Sequence, residues 1–324
     1  MLYPLKFQTI YKEKIWGGQK INTFLGKNFS PLANCGESWE ISGLPEESSV
    51  ITNGFLAGNT LNELIEIYMG DLVGEKIYDK FGNEFPLLIK FIDAQDDLSV
   101  QVHPDDFYAQ KHLLPSGKTE MWYIIDTEKD TKINIGFNRT MNLPLLENLL
   151  QKNQIASALN FLPIQAGDAF YIPAGKVHAI CKGTLLAEIQ QSSDTTFRLY
   201  DYNRKDKTGQ TRPLHIEEAC QAIHFDDNNN QPIDYQKQKN KSVNLVNSIY
   251  FATNIVEFDQ PVEKIYADVD SFVIYICIEG SAKINSDHGE EFISQGECVL
   301  MPASIEETIL IPNDNCKLLE VYIP

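Results

Sequence analysis

The sequence predicts a mainly β protein of two small β-barrel domains with a few added α-helices, and three observations carry that expectation. First, short apolar or alternating runs bounded by Gly, Pro and Asp recur along the chain: Leu87 to Ile92, Leu98 to His103, Met121 to Asp126, Ala169 to Pro173 and Leu185 to Gln190. Second, a polar stretch of low complexity from Asp226 to Lys241, with Asn228, Asn229, Asn230, Gln231 and Pro232 and then Gln236 to Asn240, reads as a linker. Beyond it Phe272 to Ile278, Ala282 to Ile284, Glu291 to Ile293 and Val299 to Met301 read as further strands. Third, one hairpin-like segment occurs twice. Gly167 leads through Pro173-Ala174-Gly175 to His178, and Gly296 leads at the same spacing to Pro302-Ala303-Ser304, after which Ile305, Glu306 and Glu307 stand where the histidine was. The expected division is a first domain over residues 1–240 with helical insertions, and a second over 241–324 without metal ligands.

Three helices are expected in the first domain. Thr60 and Glu63 make a capping box ahead of an apolar stripe of Leu61, Leu64, Ile65, Tyr68, Met69 and Leu72, so one helix is predicted from about Leu61 to Phe81. Pro144 stands near the start of a second, which carries Leu145, Leu146, Leu149 and Leu150, and a third spans His215 to Ala222. Such stripes belong to helices that pack on a core.

Composition narrows the function. With 324 residues the chain can bury a substantial core without a metal or disulfide staple. The net charge of -18 and the scarcity of basic clusters exclude nucleic acid and anionic membrane as partners, while leaving room for a phosphorylated small molecule held by a few local cations. Six scattered cysteines, with no CxxC pair, read as free thiols in a reducing compartment. Residues 1–18 lack the apolar run of a signal peptide, and nothing approaches a membrane-spanning stretch, so a cytoplasmic location is expected.

The chemistry-bearing residues cluster by strand geometry. Gln101 and His103 are two apart in a strand-like run and share one face, while Val100 and Val102 take the other. Glu120 opens the next apolar run and His178 closes the Gly-Pro turn. Two imidazoles, a carboxylate and an amide suit zinc or another borderline divalent ion with positions left for water or substrate. His112, His215, His224 and His288 have no such companions.

The pattern from Gly167 to His178 resembles the second cupin motif, and Gln101-x-His103-Pro104 with Glu120 resembles a first motif in which Gln replaces the leading His. With Trp16-Gly17-Gly18, Gly36-Glu37-Ser38-Trp39-Glu40 and the segment from Glu188 through Ser193-Asp194 to Arg198, the chain resembles the short bacterial type I mannose-6-phosphate isomerases over nearly its whole length. The resemblance implies two cupin-like (jelly-roll) barrels, and an exchange of mannose 6-phosphate and fructose 6-phosphate through a cis-enediol. It also implies one zinc ion per chain held by Gln101, His103, Glu120 and His178. By the same resemblance Arg198 is the active-site arginine, Ser99 and Lys118 belong to the substrate pocket, and Glu188 and Asp194 are acidic residues near it.

Aldose–ketose isomerisation needs a proton moved between two carbons, another between two oxygens, and charge stabilisation at the enediolate. Arg198 is the first candidate for the last task. Glu188, Asp194, Lys118 or a metal-bound water could act as base. Lys118, two residues before Glu120 and on the same face, could meet a phosphate or a hydroxyl, and Arg204 is a further phosphate candidate. Trp16, Trp39 and Trp122 are expected in the core rather than stacked on sugar. A non-enzymatic sugar- or metal-binding module and an iron oxygenase are the competing readings. The oligomeric state, monomer or dimer, is left open.

Overall fold

A computed structural model describes residues 1–205, 209–227 and 229–324. It is mainly β, with four sheets, none of which closes on itself. Two are built before residue 201. A six-stranded sheet runs in the order Ile10–Lys12, Glu37–Ser42, Leu87–Ala94, Thr184–Gln191, Glu120–Thr127, Ala169–Ile172, and a five-stranded sheet runs Phe197–Tyr200, Val100–Val102, His178–Ile180, Lys132–Phe137, Leu159–Pro163. The other two follow. Five strands run in the order Lys241–Asn247, Ala252–Phe258, Cys316–Tyr322, Val273–Glu279, Cys298–Met301, and four run Val262–Ile265, Glu307–Pro312, Ser281–Ser286, Gly289–Ser294. The described residues of the polar stretch from Asp226 to Asn240 carry no helix or strand, and Asn228 lies outside the described residues.

Alternation along the central strands sorts their side chains into distinct cores. Trp122 and Ile124 join Ile92, Phe170, Ile172 and Leu186 against Ile133, Ile135 and Ile180 of the facing five-stranded sheet, so the first half is a sandwich with its own interior. Met121, Tyr123 and Ile125 point the other way, into a core shared with Ile274, Ile276, Leu300, Leu319 and Val321 of the second half. Val273, Tyr275, Val299 and Leu318 then face Ile284, Ile293 and Leu310 inside a second sandwich. The six-stranded sheet is thus buried on both faces, which is why its strands read as continuous apolar runs rather than alternating ones.

The capping box forms as expected: Thr60 accepts from the Glu63 amide, and Glu63 reaches back to the Thr60 amide. The single helix expected through Phe81 does not. It breaks into Leu61–Val73 and Glu75–Phe81 at Gly74, whose φ of 102° no continuing helix adopts. The Asp270 carboxylate from the second half receives the Glu75 and Lys76 amides at 2.7 and 3.0 Å, so a tertiary contact caps the second helix. Helices Leu143–Gln151 and Ile216–Ala222 lie where predicted, and they cover the outer face of the five-stranded sheet with Leu146, Leu149, Ala219 and Ala222. Lys20–Thr23 and Asp106–Lys111 are short helices without a repeating stripe to announce them. All six cysteines are free thiols.

Candidate active site

Two rows of paired residues meet inside the first sandwich. In the six-stranded sheet Lys90 pairs with Glu188, and Glu188 with Trp122, in direct cross-strand register. In the opposite sheet Arg198 pairs with Gln101, and Gln101 with His178. The Gly-Pro turn makes the second row possible. Gly175, at a φ of 83°, turns the chain back and donates its amide to the His103 carbonyl at 2.8 Å, which seats His178 beside Gln101. A side chain at Gly175 would also collide with the His224 ring.

His103, Glu120 and His178 converge there, all buried, with one ligand atom from each within 4.8 Å of the others. Glu120 Oε2 lies 3.4 Å from His103 Nε2, and Glu120 Oε1 lies 3.3 Å from His178 Nε2. Each imidazole donates its Nδ1 proton to a carbonyl, His103 to Thr195 at 2.8 Å and His178 to Lys176 at 2.9 Å. A carbonyl only accepts, so both Nε2 atoms keep a lone pair aimed at the carboxylate. Burial holds both rings neutral, His103 well below the usual histidine range and His178 down to about 4. Glu120 has neither exposure nor a hydrogen bond on either carboxylate oxygen. Two oriented lone pairs around an orphaned, buried carboxylate fit a divalent cation. Gln101 turns its amide nitrogen toward His178 Nε2 at 3.4 Å and its oxygen toward Ser99 Oγ at 3.5 Å, so exchanging the two ends of the amide would complete a four-residue ligand set.

Lys118 ends just before the strand Glu120–Thr127 yet lies on the expected side. Its ammonium is 3.2 Å from both Glu120 Oε2 and His103 Nε2. It therefore belongs to the rim of the metal-capable cluster.

A second network, of which only Glu188 was expected to carry chemistry, adjoins the first. Glu188 receives Trp122 Nε1–H at 3.0 Å and faces Lys90 Nζ at 3.4 Å. Lys90 also lies 3.8 Å from Glu37, which receives Trp39 Nε1–H at 2.8 Å and pairs with Lys14 at 3.1 Å. Burial and the nearby Glu120 charge raise the Glu188 carboxyl above its usual range, against the pull of Lys90 and Lys118. For Glu37 burial acts in the same sense, but Lys90 and Lys14 outweigh it and bring the carboxyl down to about 2. Lys90 was hidden because it sits mid-strand between apolar residues. A lone lysine inside such a run is the one signal that could have exposed it. The three tryptophans are buried as expected, but Trp39 and Trp122 also orient the two carboxylates.

A polar cavity of about 240 Å³ is lined by Lys14, Glu37, Lys90, Ser99, Gln101, Lys118, Glu188, Asp194, Arg198 and Arg212. A larger cavity, about 350 Å³, lies between Phe81–Pro86, Leu113–Ser116 and Ile249–Tyr250, but it is mainly apolar and shares no lining residue with the polar one. Asp194 is exposed at the rim. Arg198 donates to the Pro213 carbonyl at 2.9 Å, makes no ion pair among the described residues, and has a buried Nε without a partner. Arg204 does not line the cavity. Its guanidinium is spent on Asp201 at 2.6 Å, on Asp96 at 3.4 Å and on the Asp97 carbonyl. Arg212, unforeseen from the sequence, stands at the wall instead, gripped by Asp201 through Nε at 2.8 Å and Nη2 at 2.6 Å. The remaining histidines lie apart: His112 stacks on Tyr108, His215 accepts the Arg198 amide, His224 pairs with Asp105, and His288 lies beside Asp287.

The family model described as phosphomannose isomerase type I, catalytic domain, matches residues 4–130. Mannose-6-phosphate isomerase ManA of Bacillus subtilis (strain 168) is 43% identical over 224 residues, 68% of each chain. The putative mannose-6-phosphate isomerase YvyI of the same organism is 33% identical over 99% of each chain. A crystal structure of the mannose 6-phosphate isomerase from Bacillus subtilis matches with a TM-score of 0.86 and 32% identity, over 98% of this chain and 99% of that one. Near-complete coverage at these identities, over the sheets that build the cavity, places this enzyme in the type I mannose-6-phosphate isomerase family.

Proposed function

We propose that the chain interconverts mannose 6-phosphate and fructose 6-phosphate in the polar cavity, through a cis-enediol, beside one zinc ion held by Gln101, His103, Glu120 and His178. The observation that carries this reading is Glu120, buried with both oxygens unbonded between two imidazole lone pairs, next to the Glu188–Lys90 pair. When bound, the ion supplies Lewis acidity at a substrate oxygen. Glu188 is the carbon-acid base: its raised pKa brings it closer to the working pH, and Trp122 fixes its orientation. It takes the proton from C2 and returns it at C1, while Lys90 keeps a compensating charge at its other oxygen. Arg198 directs unspent guanidinium donors at the enediolate oxygen, and Ser99 and Lys118 orient hydroxyls. Asp194 closes the rim. The phosphoryl group falls to Arg212, which stands at the cavity wall, while Arg204 lies outside the cavity.

In the same reading the two halves are cupin-like jelly rolls, 1–240 catalytic and 241–324 without metal, and the enzyme works in the cytoplasm. The test is a coupled assay for fructose 6-phosphate formation on protein stripped by chelator and reloaded with zinc, run beside His178→Ala. Activity restored by zinc in the parent alone supports the proposal; zinc binding without turnover of any hexose phosphate would return the chain to the binding-module reading.

A further inference from the structure

The second sandwich repeats the register of the first. The strands Ala169–Ile172 and Cys298–Met301 both end just before the proline of the repeated hairpin, at Ile172 and Met301. Ile172 pairs with Glu120, and Met301 with Val273. Two residues along those partner strands stand Trp122 and Tyr275, which pair with Glu188 and Glu320. Glu188 pairs onward with Lys90, and Glu320 with Asn254. In the opposite sheets Gln101 pairs with His178, and Lys264 with Thr308. Thr308 comes one residue later after its proline than His178 does after Pro173, and it is the buried one while Glu307 is exposed. Two residues beyond Gln101 and Lys264 stand His103 and Tyr266.

The chemistry at these matched positions is coherent. Glu320 is 1% exposed, and its Oε1 meets Lys264 Nζ at 2.5 Å and accepts from Tyr266. Its Oε2 accepts from Asn254 at 2.8 Å and from Ser242 at 3.1 Å. Trp122 donates to Glu188 directly in the first sandwich, whereas Tyr275 reaches Glu320 through Tyr266, to which it is hydrogen-bonded. Lys264 also donates to Ser242 at 2.6 Å. We infer that the second sandwich contains a cation-substituted copy of the catalytic centre, in which the Lys264 ammonium does the charge-balancing work that the first assigns to a metal ion and to Lys90. At the two positions a metal would need most, Glu120 and His178, the copy offers Val273 and Thr308. The buried carboxylate persists, and a cation borne by the chain is paired with it.

The test is chemical rescue in the full chain. Lys264→Ala removes the ammonium and leaves a space beside Glu320. Its Tm is expected to fall by more than about 5 °C. Methylammonium is expected to recover that loss, and tetramethylammonium at equal ionic strength, too large for the space, is not. A Tm equal to that of the parent, or a loss insensitive to methylammonium, would overturn the inference. If Lys264→Ala does not fold, Lys264→Met combined with Glu320→Gln removes both charges together and is expected to fold; failure of that neutral pair as well would overturn it.

Discussion

The two sandwiches solve one problem differently. Each places a carboxylate inside a β-sandwich, on an inner strand of its larger sheet, and each must accommodate that group away from water. Both carboxylates have a lysine beside them, but the first leaves Glu120 without a hydrogen bond between two lone-pair nitrogens, while the second saturates Glu320 with hydrogen bonds. An unsatisfied buried polar group is costly, so its presence marks a place kept open for a ligand. Satisfaction marks a place built for stability. The contrast sets the carboxylate without hydrogen bonds in one half and the saturated one in the other.

The contrast breaks most visibly at the metal ligands. Glu120→Ala is expected to abolish metal binding and to lower turnover by at least about a thousandfold. Glu307→Ala, at the repeated hairpin of the second half, is exposed and should leave both unchanged. Metal content and the coupled assay on the two variants check the pair. Glu188→Gln should keep the metal and lose roughly a hundred- to ten-thousandfold in kcat, because it removes a base and not a ligand. Arg212→Gln should raise KM for the sugar phosphate about tenfold with kcat nearly kept, since one charge-assisted contact to phosphate is lost. Unchanged KM would move the phosphoryl group elsewhere.

Acid sharpens the comparison at smaller scale. The folded carboxyl of Glu37 sits near 2, below the roughly 4.3 of an unfolded glutamate. Its stabilising contribution is therefore complete above about pH 4.3 and is lost as the pH falls toward 2, with a ceiling on the order of 3 kcal/mol. Glu37→Gln should lack that component, so urea midpoints of parent and variant should converge as the pH falls from about 4.3 toward 2. Parallel curves would mean that Lys90 and Lys14 do not hold Glu37 as described.

Much of this was legible in the sequence, for reasons that differ by residue. Gln101, His103, Glu120 and His178 could be read because strand periodicity and a Gly-Pro turn are local rules, and the site is assembled where those rules act. The capping box at Thr60 was legible for the same reason. The break at Gly74 was not, because its cause, Asp270, lies far along the chain and caps the second helix only once the two halves pack. Arg204 and Arg212 were not separable, since the choice between them is made by Asp201, which grips both but leaves only Arg212 at the cavity wall. Lys90 escaped because an apolar strand and the wall of a polar cavity share the same sequence when both faces of a sheet are buried.

The central claim is that the open carboxylate, and only that one, marks a metal-dependent isomerase centre. It is tested most directly by elemental analysis of bound metal in the parent and in Glu120→Gln, with mannose 6-phosphate turnover measured on the same samples. The account predicts one zinc per chain and turnover in the parent, and neither in the variant. Undiminished metal in Glu120→Gln, or turnover that survives the loss of metal, would contradict it.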